Sequence, residues 1–116
     1  MQPPNVIFLC TDQQRAGDLS CAGNRYVATP NMDAIASRGV RFERSYCTSP
    51  LCSPARASHV TGRMPLPSGV TTNHQSLLPG LPLLGEVMSA GGYQTRWVGK
   101  WHVPHEYPLE LDAIPG

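Results

Sequence analysis

The chain has 116 residues, a formal net charge of +1, 15% charged side chains and 41% hydrophobic ones. That length suits one small domain that buries somewhat over ~60% of its unfolded surface. No basic tract points to nucleic acid, no acidic run to a solvating tail, and the apolar content excludes a disordered chain.

The first five residues, Met1-Gln2-Pro3-Pro4-Asn5, include no basic side chain. The apolar run from Val6 to Cys10 is too short for a signal sequence or a membrane span. A soluble, cytoplasmic protein with no membrane partner is therefore expected. Cys10, Cys21, Cys47 and Cys52 form no Cys-x-x-Cys pair and no zinc-finger spacing. Cys10 reads as a small buried residue at a strand end, and Cys21 and Cys47 as loop or core thiols in a reducing compartment.

Residues 5–11, Asn-Val-Ile-Phe-Leu-Cys-Thr, are a continuous apolar run with β-branched and aromatic content. This pattern predicts a strand buried on both faces, as in the parallel sheet of an α/β protein. Asp12 follows at the strand's carboxyl end, where open α/β sheets collect their ligands. On its own, an Asp there is more often a turn former or a helix cap. Residues 16–28 read as a loop. A helix is predicted over 29–39, with Thr29 as cap, Pro30 as first helical residue, Asp33 at the positive end and Gly39 as stop. Met32, Ile35 and Ala36 would face the core. Residues 40–46 alternate as a second strand.

That strand leads into Ser45-Tyr46-Cys47-Thr48-Ser49-Pro50-Leu51-Cys52-Ser53-Pro54-Ala55-Arg56, which continues to Thr61-Gly62-Arg63. Pro54 suits the first turn of a helix, where its missing N–H costs nothing. A helix starting here puts Cys52 at the positive end of the dipole, among unpaired backbone N–H groups fit for an anion. Arg56, one turn on, adds a permanently charged fork on the same face.

Residues 64–82, rich in Pro, Gly, Ser, Thr and Asn, read as a long loop, of a kind that is usually functional or disordered. A second helix is predicted over 83–90, ending at Gly91-Gly92. A third strand over 93–98 runs into Gly99-Lys100-Trp101-His102. If strand alternation continues, Lys100 and His102 address one ligand. A lone Lys is normally a solvated charge, and Trp101 a core or rim aromatic. His59, His74 and His105 read as structural or surface residues.

Two of these stretches resemble the sulfatase family. Cys52-Ser53-Pro54-Ala55-Arg56 with Thr61-Gly62-Arg63 matches its first signature, in which the cysteine is oxidised to formylglycine. Gly92-Tyr93-Gln94-Thr95-Arg96-Trp97-Val98-Gly99-Lys100-Trp101-His102 matches the second, Gly-Tyr-x-Thr followed by Gly-Lys-x-His. His59 departs from the apolar residue usual at its position. Asp12 matches the N-terminal metal-binding acid. Gln13 follows it where many members have a second acid, as in some bacterial sulfatases, and its carbonyl oxygen still suits a hard cation.

The resemblance, covering about residues 5–102, implies an α/β fold. It would be the N-terminal part of an alkaline-phosphatase-like sandwich with a mainly parallel central sheet, incomplete in this chain. It implies hydrolysis of small-molecule sulfate esters through a hydrated formylglycine at position 52, made by a formylglycine-generating maturation enzyme. Asp12, Gln13 and residue 52 would hold a divalent metal, calcium before magnesium or manganese. Arg56 and Lys100 would stabilise the charged diol and sulfate oxygens, and His102 would hold one of them. Asn73 matches a substrate-contacting Asn of the choline-sulfatase-like branch.

Family members are several hundred residues long and complete the metal site far downstream. The expectation is thus residues 1–116 as the N-terminal portion of a catalytic domain, inactive or nearly so alone and prone to self-association along an apolar sheet edge. The rival readings are a phosphonate or phosphate ester hydrolase on the same scaffold and a truncated module without activity. A redox or zinc pair of Cys47 and Cys52 is weaker still.

Overall fold

The computed structural model describes residues 3–103 of the chain. It divides between Ser45 and Tyr46 into two compact units. His105 lies outside the described residues.

The first unit holds two 3₁₀ turns, Ala16–Asp18 and Ser20–Ala22, and a helix α1, Pro30–Arg38. The predicted helix thus forms, starting at Pro30 with Thr29 as its N-cap residue and Gly39 as its C-cap residue. Thr29 caps no backbone N–H with its side chain. Instead its hydroxyl donates to Asp33 Oδ1 at 3.0 Å. The same carboxylate accepts from Ser20 Oγ at 2.6 Å and from the Cys21 amide at 3.0 Å. Asp33 therefore clips the second 3₁₀ turn to the start of α1. These donors hold its carboxyl below the usual carboxylate range, with the Ser20 hydroxyl contributing most. Partial burial pushes the Cys21 thiol up, and its hydrogen bond to Asp33 adds to the shift. Asn24 shapes the following loop by accepting from the Tyr26 and Val27 amides at 2.8 and 3.1 Å, an Asx-type turn.

The second unit contains α2, Cys52–Thr61; α3, Pro65–Ser68; and α4, Leu84–Ala90. Helix α2 is the buried element, with Ser53, Pro54, Arg56, Ala57, Ser58 and Val60 all inside. Ala57, Val70 and Val103 form the core, and Leu77 and Trp101 pack against it. Burying a side chain such as Val70 stabilises by about 1.5–3 kcal/mol. Gly62 ends α2 in the left-handed region at φ 67°, its amide donating to Ser58 O at 2.9 Å. The Gly of Thr-Gly-Arg is thus the helix stop. The loop read over 64–82 contains α3, whose C-cap Gly69 sits at φ 82°. A Cβ there would lie 2.7 Å from Leu78 Cγ, so the close approach of Leu78 requires glycine. Helix α4 forms as predicted, and Glu86 accepts from the Leu83 amide at 2.9 Å.

The three predicted strands are where the structure differs. Among the described residues none is in a β-strand, so 5–11, 40–46 and 93–98 carry no regular ladder. A strand needs a partner edge for its backbone groups, and no ladder is present among the described residues. Their apolar residues stay outside: Ile7 is 86% exposed, Leu9 78% and Phe42 78%. Cys10 is likewise exposed rather than buried, and Ile35 of α1 is exposed while Met32 and Ala36 are half-buried. The parallel sheet expected for the chain is therefore not formed by the described residues. No helix among them is long and apolar enough to cross a membrane.

Candidate active site around Cys52

Cys52 is the first residue of α2 and is half-buried. Its helix is N-capped by Leu51, whose apolar side chain accepts nothing. The donors of this helix end must find partners elsewhere. The Leu51 amide donates to Ser49 Oγ at 3.2 Å, and the Ser53 amide to Asn73 Oδ1 at 3.1 Å. Pro54 has no amide hydrogen, and the Ala55 amide already closes the first turn on Leu51 O at 3.1 Å. The Cys52 amide is the one donor of the turn with no partner among the described residues. The array of unpaired N–H groups expected from the sequence is therefore reduced to one, because a proline and an asparagine side chain remove the others.

Positive charge comes from side chains. Arg56 lies one turn along α2 and is only 9% exposed. Its guanidinium donates through Nη1 to the backbone carbonyl of Lys100. This contact joins the first motif to the second across 44 residues. Lys100 and His102 are both exposed. Their expected shared face rested on strand alternation, which does not apply: the segment is irregular, with Gly99 at φ 98° and His102 at φ 52°. Both adopt left-handed backbone, which glycine takes freely and His less often. Trp101 between them is half-buried and meets Trp97 edge-to-face, ring centroids 4.8 Å apart.

Asn73 sits in a turn folded by Gln75. The Gln75 Oε1 accepts from the Thr71 amide, the Thr71 hydroxyl and the Thr72 amide at 2.7, 2.9 and 3.0 Å. Neither Gln75 nor its three donors stand out in the sequence, since nothing in their spacing marks a turn that docks on a helix 20 residues earlier. Two polar atoms near this packing, Ser53 Oγ and Trp101 Nε1, are buried without a partner among the described residues.

Cys52, Arg56, Asn73, Lys100 and His102 all belong to the second unit. Asp12 and Gln13 belong to the first, exposed and adjacent in a bend, with Gln13 at φ 57°. One carboxylate and one amide carbonyl are oxygen donors of the type a hard cation takes. No group of three His, Cys, Asp or Glu that would hold a metal ion comes together among the described residues. Asp12 and Gln13 thus fit as a share of a calcium-type donor set, which needs six to eight oxygens. All four cysteines are free thiols, so Cys47 and Cys52 form no disulfide. His59 and His74 are exposed, consistent with surface roles.

Comparison with known proteins places these observations. The sulfatase family model matches residues 4–106. N-acetylgalactosamine-6-sulfatase of Sus scrofa is 38% identical over 125 residues, covering 94% of this chain and 24% of that protein. N-acetylglucosamine-6-O-sulfatase of Bacteroides thetaiotaomicron is 37% identical over 103 residues, covering 89% of this chain and 18% of that protein. A solved structure of a protein in complex with its substrate D-glucosamine-2-N,6-O-disulfate superposes with a TM-score of 0.85 at 36% identity, over 90% of this chain and 21% of that one. The chain spans about a quarter or less of the length of these relatives.

Proposed function

The chain belongs to the sulfatase family, and on that premise we propose that it is the N-terminal portion of a catalytic domain that hydrolyses sulfate esters. The observation that carries this reading is the Arg56–Lys100 contact. It supports the two signature motifs acting as one site beside Cys52. The proposed domain is α/β and alkaline-phosphatase-like. Its sheet would use the exposed apolar segments 5–11, 40–46 and 93–98 once the rest of the protein supplies partner strands. The portion alone would have little activity and would tend to self-associate through those segments.

Cys52 is the precursor of formylglycine, introduced by a maturation enzyme, and that group supplies a hydrated aldehyde as the nucleophile. Arg56 is permanently charged and largely removed from water, so its field on a bound sulfate is weakly screened. Lys100 adds a second cation for sulfate oxygens, and His102 a hydrogen bond to one of them. The nitrogen of the Asn73 amide stays available for substrate while its oxygen holds the Ser53 amide. Asp12 and Gln13 would hold a divalent cation, calcium before magnesium or manganese. When bound, such a cation supplies electrophilic polarisation.

The names of the relatives make an amino-sugar 6-sulfate the first substrate to try. Mass spectrometry of the Cys52 peptide from the native host reads the first step, and the thiol mass should give way to that of an aldehyde or its hydrate. The intact enzyme should then turn over a sulfate monoester faster than the matching phosphonate. An unmodified thiol together with no sulfate turnover would defeat the proposal, and a phosphonate preference would move it to the sister activity.

A further inference from the structure

We propose that Asn73 is a positioning residue for the nucleophile: it caps α2 from 20 residues downstream and fixes the backbone that carries residue 52. This inference rests on the sulfatase reading and deepens it. An N-cap residue normally supplies a side-chain oxygen to the amide two or three positions on, and Leu51 has none. The Ser53 amide, second in the helix, would then be left unpaired next to a fully buried side chain, which is costly for a donor removed from water. Asn73 Oδ1 meets it at 3.1 Å. The oxygen is the atom in place, because an amide hydrogen needs an acceptor.

The cap is itself held. Gln75 takes three donors from Thr71 and Thr72, which fixes the turn that presents Asn73. The Thr72 hydroxyl also donates to the Asn73 carbonyl at 3.1 Å. Val70, immediately before this turn, is fully buried in the core beside Ala57 of α2. A chain of contacts therefore runs from the core through the 71–75 turn to the residue next to Cys52. With an apolar N-cap before it and Pro54 after it, the Ser53 amide takes its acceptor from Asn73, while Ser49 Oγ accepts from the Leu51 amide. Positions of reacting groups matter at the level of an ångström, and a loosened turn lowers turnover without weakening substrate contact.

The test uses the intact enzyme with Asn73→Ala, Asn73→Asp and Gln75→Ala. Two readouts are taken: amide hydrogen exchange at Ser53, and kcat and KM for a sulfate monoester. Asn73→Ala should speed Ser53 exchange at least tenfold and lower kcat about tenfold, with KM rising as far as the amide nitrogen touches substrate. Asn73→Asp keeps the acceptor oxygen, so Ser53 should stay protected and kcat should stay above that of the Ala variant. Gln75→Ala should move both readouts in the same direction as Asn73→Ala. A contact made only to substrate predicts the reverse order, since a carboxylate facing sulfate is worse than alanine. It also predicts unchanged Ser53 exchange and, for Gln75→Ala, an unchanged kcat. That result would overturn the proposal. If Asn73→Ala does not fold, Asn73→Ser replaces it, its hydroxyl being too short to reach Ser53. Wild-type enzyme without sulfate turnover would sink the functional reading alone, because Ser53 exchange still decides the cap.

Discussion

The guanidinium of Arg56 donates to the backbone carbonyl of Lys100, so a residue of helix α2 fixes a loop 44 positions away. A guanidinium can hold a carbonyl and still aim other N–H groups at an anion, which an ammonium cannot do in the same geometry. Arg56→Lys in the intact enzyme should therefore lower kcat/KM for a sulfate ester by about 10²–10³, the usual loss for one charge-stabilising donor. Steady-state kinetics check it, and an Arg56→Lys enzyme within threefold of wild type would contradict it.

Asp33 gives the first unit a pH dependence of known sign. Its carboxyl is held below the usual range by donors present only in the fold. The ionised form is thus favoured by folding, and this contribution is fully present above the unfolded value of about 4. It is lost as pH falls through the lower folded value. Thermal unfolding of wild type and Asp33→Asn between pH 2.5 and 6 should show the difference between them shrinking toward the acid end. A constant difference would contradict the clip.

Gly69 is required twice over, by its φ of 82° and by Leu78. Gly69→Ala should destabilise by about 2–4 kcal/mol, combining left-handed strain with overpacking. Denaturant midpoints measure this. Gly80 shares the positive φ but has open space around it, so Gly80→Ala should cost only about 1–2 kcal/mol.

Cys21 should be the slow thiol of the first unit. Partial burial and Asp33 both push it up, so less thiolate is present at a given pH. At pH 8, iodoacetamide should modify Cys21 several-fold more slowly than exposed Cys10, as read by peptide mass spectrometry. Equal rates would remove the basis for the shift.

Local signals carried the helices well. Pro30 and Gly39 bracket α1, Pro54 marks the start of α2, and Gly91 and Gly92 follow α4, because caps and stops depend on residues a few positions apart; Gly62 as the stop of α2 came from the structure. The short helix α3 inside the loop is built on Pro65 and Pro67, which composition alone reads as irregular chain. The strands were a different matter. Val6 to Leu9 have the character of a buried strand, yet burial is a property of a partner surface, and the described residues offer none. At the site, Cys52, Arg56, Lys100 and His102 were legible as motif residues. Their relation was not, since the Arg56–Lys100 contact spans 44 positions and the His102 backbone departs from alternation. Asn73 is legible only through the resemblance, as a match to a substrate-contacting Asn. Its acceptor role depends on Leu51 failing as a cap, which only the assembled turn reveals.

The single unpaired amide that the described residues leave at the mouth of α2 has an evolutionary corollary. Peptide groups are the same in every sequence, so a pocket built from them resists change by substitution. On the proposed reading, selectivity among oxyanions falls to the side chains of Arg56, Lys100, His102 and Asn73, which substitution can replace. A scaffold of this kind can trade one tetrahedral ester for another without disturbing its helix.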